Sequence, residues 1–188
     1  MNYHFKQLCE KYNNAQEAIR FYFFWGHTPS KDGKITKSVL SQWWQQPFEV
    51  DGVLYPTCEH FMMAGKARLF GDAATLAEIL AANTPNEAKK LGRKVANFDG
   101  AIWDAHKYEI VRLGNWHKFS QNKDLGEFLL QTRYHVLVEA SPVDTIWGIG
   151  LKAEDERASN PNLWRGGNLL GFALMEVRDA LLDALLEG

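Results

Sequence analysis

The segment Tyr55-Pro56-Thr57-Cys58-Glu59-His60-Phe61-Met62-Met63-Ala64-Gly65-Lys66-Ala67 sets a carboxylate, an imidazole and an ammonium on a stretch with no proline after Thr57. Thr57 suits an N-cap and Gly71 a C-terminal stop, so a helix of roughly three turns is predicted between them. Glu59 and Lys66 then share nearly the same face, with about 10 Å of axial rise between them, and Met62, Met63 and Phe70 supply apolar neighbours. A small substrate fits such a gap. A reaction could be run there. The plain alternative is that the helix dipole favours Glu59 where it stands and that Lys66 is a solvated side chain.

Two loops offer further candidates. From Glu139 to Gly150 a strand ends in acidic residues followed by Trp147 and the glycines Gly148 and Gly150, which let backbone approach a ligand closely. Asp144 in that loop is either a reacting carboxylate or a turn and capping residue. Trp164-Arg165-Gly166-Gly167-Asn168 stands just before the final helix, where amide groups and Arg165 would suit a phosphate, or where the glycines would form a hinge. His60 and His135 lie in no recognisable ligand spacing, so neither a metal nor another cofactor is expected.

The elements that must hold these residues are legible in outline. Residues 19–25 read as a buried strand and 26–36 as a polar loop with Pro29 and Gly33. Phe48 to Tyr55, with Asp51-Gly52 at its centre, reads as an antiparallel hairpin leading straight into the Glu59 helix, the first helix of this reading. Thr84-Pro85-Asn86-Glu87 predicts a capped helix running to about Asn97. Asp99 caps the next, which carries Trp103 in its first turn and ends at Gly114 or a little beyond. A helix over 123–133, a strand at 136–138 and an amphipathic helix over 169–186 that packs on the core complete the series. No βαβ alternation and no glycine-rich phosphate motif occurs. The expectation is a mainly helical α+β fold with a small antiparallel β-sheet, forming a single domain over 1–188.

Composition narrows the function. A chain of 188 residues with 46% hydrophobic content fills one core, and a formal net charge of −2 gives no global attraction to a nucleic-acid backbone. The two cysteines, the polar N-terminal stretch and the lack of a long apolar run point to a cytoplasmic protein without a membrane partner. Seven Trp, six Tyr and eleven Phe are mostly core, yet such rings also stack on flat bases.

On these residues the chain resembles the YbiA/NADAR family of N-glycosidases. The likeness runs from Phe21-Tyr22 through Leu40-Ser41-Gln42-Trp43, the hairpin, Tyr55 to His60 and Lys66. It continues through Ala88 to Arg93, Trp103, Lys118-Phe119, Leu137-Val138-Glu139, Asp144 and Trp147-Gly148, then from Asn168-Leu169-Leu170-Gly171 into Leu174 to Arg178. The family pattern has asparagine where Gln42 stands and serine where Cys58 stands. The resemblance implies hydrolysis of the bond between ribose C1 and a base or amine. The substrate would be a phosphorylated ribosylamino-pyrimidine intermediate of riboflavin synthesis, or ADP-ribose on a guanine base, free or in DNA. It implies Glu59, Lys66 and Asp144 as catalytic residues and Tyr22, Gln42, Trp103, Trp147, Gly148, Arg165 and Asn168 as substrate contacts. In one mechanism Glu59 and Asp144 divide the acid and base roles while water attacks C1. In the other, favoured by the shared face of Glu59 and Lys66, the lysine forms a Schiff base. A non-catalytic ADP-ribose or nucleotide-binding module is the alternative.

Overall fold

The computed structural model describes residues 2–15 and 18–187, and the chain divides into two compact units, Gln42–Asn122 and Met1–Ser41 with Lys123–Gly188.

In Gln42–Asn122, strands β2 (Phe48–Val50) and β3 (Val53–Tyr55) pair antiparallel in the register Phe48↔Tyr55 and Val50↔Val53. Asp51 and Gly52 both take positive φ, 51° and 76°, the paired left-handed turn that matches the twist of the strands. Helix α2 (Cys58–Leu69) follows, with the Thr57 side chain accepting the His60 amide and Gly71 at φ +69° beyond its end. Eight of its residues are buried, including Cys58, Glu59 and His60, because α2 lies against all three other helices of the unit: α3 (Ala73–Ala81), α4 (Pro85–Gly92) and α5 (Gly100–Gln121).

Three boundaries differ from expectation. Helix α3 is an additional element, started by Asp72, whose carboxylate accepts from Thr75 N and also ties down Ala96 N. The Thr84 capping box forms, but α4 stops at Gly92, where the Arg93 and Lys94 amides turn back onto Lys89 and Leu91. Helix α5 continues seven residues past Gly114. A Cβ at Gly114 would stand 2.7 Å from the Phe61 ring, so this glycine admits a neighbouring helix and does not end its own.

In the other unit, α1 (Phe5–Asn14) precedes β1 (Phe21–Phe24) and is a helix absent from the sequence-based reading. β1 pairs in parallel with β4 (Val136–Glu139), in the register Phe21↔Val136 to Phe24↔Glu139, a second two-stranded sheet that the sequence reading did not expect. Helix α6 (Lys123–Gln131) and helix α7 (Leu169–Glu187) pack together, and α7 also covers β4 with its buried run from Leu170 to Arg178. With seven α-helices among the described residues and one antiparallel sheet, the fold is α+β. No helix of the described residues is long and apolar enough to cross a membrane.

Candidate active site

The predicted residues fall in both units: Glu59, Lys66, Gln42 and Trp103 in Gln42–Asn122, and Tyr22, Asp144, Trp147, Gly148, Arg165 and Asn168 in the other.

Lys66 is half-buried at the C-terminal end of α2. Its Nζ donates to the Gly92 carbonyl at 2.8 Å and lies 4.2 Å from the Phe98 ring centroid and 5.6 Å from that of Trp103. The carbonyl and the rings hold a cation, while burial pushes the amine below the ordinary lysine value of 10.5. Helix α2 thus delivers the amine, the end of α4 supplies its acceptor, and the start of α5 supplies Trp103. Gly92 is needed for this approach, since a Cβ there would stand 1.9 Å from Met63 Sδ.

Glu59, 5% exposed, sits in the first turn of α2, and its amide donates to the Gln42 carbonyl at 3.0 Å. Around it the structure places two groups that the sequence reading named but gave no part in the chemistry. Lys118 on α5 is fully buried, and desolvation brings its amine down to about 8. Burial pushes the Cys58 thiol up to about 11, with the Lys118 charge opposing that rise and Glu59 adding to it. Two lysines with weakened hold on their protons therefore belong to this unit. The signal for the second was the spacing Val111, Asn115, Lys118 on the inward face of α5, hidden by ending the helix at Gly114.

His60 is a structural residue. Its Nδ1 meets the Thr57 hydroxyl at 2.8 Å, its Nε2 meets the Ala82 carbonyl at 3.1 Å, and burial lowers its pKa, so it serves as a neutral bridge. Among the described residues no group of three or more His, Cys, Asp or Glu could hold a metal.

In the other unit Asp144 is engaged by backbone. Its Oδ1 accepts from Ile146 N at 2.8 Å and Trp147 N at 2.7 Å, which is the turn-capping arrangement. Gly148 is buried, and the loop is pinned to the 165–168 segment: Arg165 N donates to Ile149 O, Gly167 N to Thr145 O and Asn168 N to Gly148 O. A Cβ at Gly166 would lie 2.3 Å from the Gly148 carbonyl, so Gly166-Gly167 is a close-packed crossing and not a hinge. The first amides of α7 are also taken, Leu169 N by Ile146 O and Leu170 N by Trp147 O, which corrects the expectation of free amides awaiting a phosphate. The Asn168 carboxamide accepts from Glu139 N and donates to Leu137 O, extending the edge of β4. Arg165 is exposed and Trp147 half-buried. Tyr22 packs edge-on against Phe128 and His135, and burial raises its pKa.

A model of the NADAR domain matches residues 23–182. The chain is 42% identical over 168 residues to an N-glycosidase of Acanthamoeba polyphaga mimivirus, covering 87% of this chain and 97% of that protein. It is 33% identical over 135 residues to N-glycosidase YbiA of Escherichia coli, covering 72% and 76% respectively. The NMR structure of E. coli YbiA superposes with a TM-score of 0.73 at 27% identity, over 92% of this chain and 90% of that one.

Proposed function

The chain belongs to the NADAR domain family and is a hydrolase of N-glycosyl bonds, and we propose that Lys66 and Glu59 cleave the C1–N bond of a phosphorylated ribosylamino-pyrimidine. The observation that carries this reading is the Lys66 amine, partly desolvated and set between the Gly92 carbonyl and the rings of Phe98 and Trp103, on the helix that also bears buried Glu59.

In the proposed reaction the neutral Lys66 amine attacks ribose C1, and a proton of that amine passes to the ring oxygen as the sugar ring opens. The C1–N bond to the pyrimidine then breaks as Glu59, entering as the protonated acid, gives a proton to the departing nitrogen, and Glu59 recovers a proton from the water that follows. An imine then joins Lys66 to C1. Water adds to it, and breakdown releases ribose 5-phosphate and restores the amine. Trp103 stacks on the leaving base, and Asp144 holds the Trp147 loop in shape. The formal net charge of −2 supports a free metabolite over a nucleic-acid strand.

A larger ADP-ribosyl-guanine substrate is the second reading. It is favoured by Phe98, which is 50% exposed and adds a flat apolar face near the Lys66 amine. The match over 23–182 runs across both units and supports a single NADAR-like domain. The free cysteines Cys9 and Cys58 support a cytoplasmic setting.

Turnover of the ribosylamino-pyrimidine phosphate and of a guanine-ADP-ribosylated oligonucleotide, followed side by side by mass spectrometry with Glu59→Gln as control, tests this. Ribose 5-phosphate from the pyrimidine is the expected product. ADP-ribose from the oligonucleotide alone would replace the first reading with the second, and binding without product would make the chain a binding module.

A further inference from the structure

A phosphorylated substrate needs cations for its phosphate, and the amides expected to meet it at the start of α7 are already taken. Gln42–Asn122, the unit that carries Lys66, holds nine lysines and arginines. Five of them are committed or enclosed. Lys66 donates to the Gly92 carbonyl and Arg68 to the Tyr55 hydroxyl, Lys107 pairs with Asp104 and Arg112 with Glu109, and Lys118 is fully buried. The other four, Lys89, Lys90, Arg93 and Lys94, make no ion pair among the described residues. They stand together on α4 and just past its end. Pro85, Ala88 and Gly92 form the buried face of that helix, and at about 100° per residue the four cations fall on the opposite side. Lys89 leans on the Trp43 ring, 5.6 Å from its centroid, while Lys90, Arg93 and Lys94 are exposed. The dipole at a helix end attracts cations, but one or two would answer it. Lys89 and Arg93 stand four residues apart, as do Lys90 and Lys94, so like charges repel along two ridges. The acids on either side are occupied with backbone, Glu87 with the Asn83 and Thr84 amides and Asp99 with those of Ala101 and Ile102. An anion from outside would relieve the repulsion. The Gly92 carbonyl that accepts Lys66 Nζ at 2.8 Å shares its peptide bond with the Arg93 nitrogen, so covalent geometry puts that nitrogen within about 5 Å of the amine.

We propose that Arg93, Lys94 and Lys90 form a phosphate subsite, which holds the 5-phosphate of the ribosyl substrate while Lys66 meets C1 of the same sugar. The Arg93 guanidinium takes two phosphate oxygens at once, and the two ammonium groups add charge without a fixed direction. The class of ligand is a sugar phosphomonoester, with the phosphate at the outer face of α4 and the sugar carbon at its C-terminal end. This rests on the phosphorylated-ribosyl reading above, but its test reads binding and requires no turnover.

Binding of ribose 5-phosphate, of ribose and of an unmodified single-stranded oligonucleotide is measured by calorimetry on the full chain, on Arg93→Gln, Lys94→Gln and the double variant, with melting curves to confirm folding. Lys31→Gln, which removes the same charge from an exposed position of the other unit, is the control. The unsubstituted chain should bind ribose 5-phosphate roughly tenfold tighter than ribose, and added salt should shrink that preference. Each single variant should lower the preference several-fold, and the double variant should bring the two sugars to within about twofold of each other. Lys31→Gln should preserve it. Equal affinity for the two sugars in the unsubstituted chain, no binding of either, a preference that survives the double variant, or one that Lys31→Gln lowers as much would overturn the proposal. So would an oligonucleotide that alone binds and is released by the double variant, which would make this face a docking surface for a strand. A preference lost in the double variant of a protein that turns over neither candidate substrate would uphold the subsite while removing the reaction.

Discussion

Lys66 is held by two opposing influences, and its role depends on their balance. The Gly92 carbonyl and the rings of Phe98 and Trp103 favour the ammonium, while burial favours the amine and prevails in lowering the pKa. Only the amine attacks C1, so kcat should rise with pH and level off below the ordinary lysine value of 10.5. A profile still rising there would remove the lysine route. Borohydride with substrate should add mass at Lys66, and Lys66→Arg, which keeps the cation but forms no imine, should leave no adduct and reduce kcat more than 100-fold. Asp144 separates capping from chemistry by a different comparison. Asp144→Asn keeps an oxygen for the Ile146 and Trp147 amides and should retain stability and most turnover, whereas Asp144→Ala should lose about 1 kcal/mol in denaturant titration. A large loss of kcat in a fully stable Asp144→Asn would instead assign the carboxylate a charge in the reaction. That Glu59 and Lys66 stand on one helix was legible from the Thr57 cap and the proline-free run after it. The Gly92 carbonyl and Phe98 were not, since tertiary folding brings them to the amine from 26 and 32 positions farther along the chain.

At the level of elements, α2 is the hub of its unit, and small residues on its partners let it be so. Gly92→Ala would put a Cβ 1.9 Å from Met63 Sδ. The flexible thioether can move, so a cost of about 1–3 kcal/mol is expected from overpacking. Because the Gly92 carbonyl also holds Lys66, the same substitution should shift the pH at which the rate levels off as well as the melting temperature. A change in stability with an untouched profile would show that the carbonyl contact is incidental. The hairpin and the helix starts at Thr57, Thr84 and Asp99 were readable because caps and turns are local chemistry. Helix ends were less so, since Gly114 resembles a stop until the Phe61 ring is seen against it. The parallel pairing of β1 with β4 joins residues 115 apart, and nothing in either strand names its partner. Helix α3 left a faint signal, Asp72 directly after Gly71, which reads as one helix ending and another beginning.

For the whole molecule, a net charge of −2 provides no strong overall field, so the alkaline response should trace to a few buried groups. Lys118 and Cys58 pull in opposite directions. The Lys118 amine titrates near 8 when folded and near 10.5 when free, so between those values the unfolded chain binds more protons and stability rises with pH. The Cys58 thiol titrates near 11 folded against 9.0 free, so between 9 and 11 the folded state binds more protons and stability falls. Only the interval from about pH 8 to 9 reports Lys118 alone of the two. Across the whole interval between its folded and free values, releasing the Lys118 proton recovers on the order of 3 kcal/mol, since a tenfold change in proton affinity is worth about 1.4 kcal/mol. Urea titrations at pH 8.0, 8.5 and 9.0 should therefore show rising stability in the unsubstituted chain. Lys118→Met, which fills much of the same space without a titrating amine, should lose that slope. An unchanged slope in Lys118→Met would mean that the buried amine keeps an ordinary lysine's proton affinity, leaving Lys66 as the lysine of this unit whose hold on its proton burial weakens.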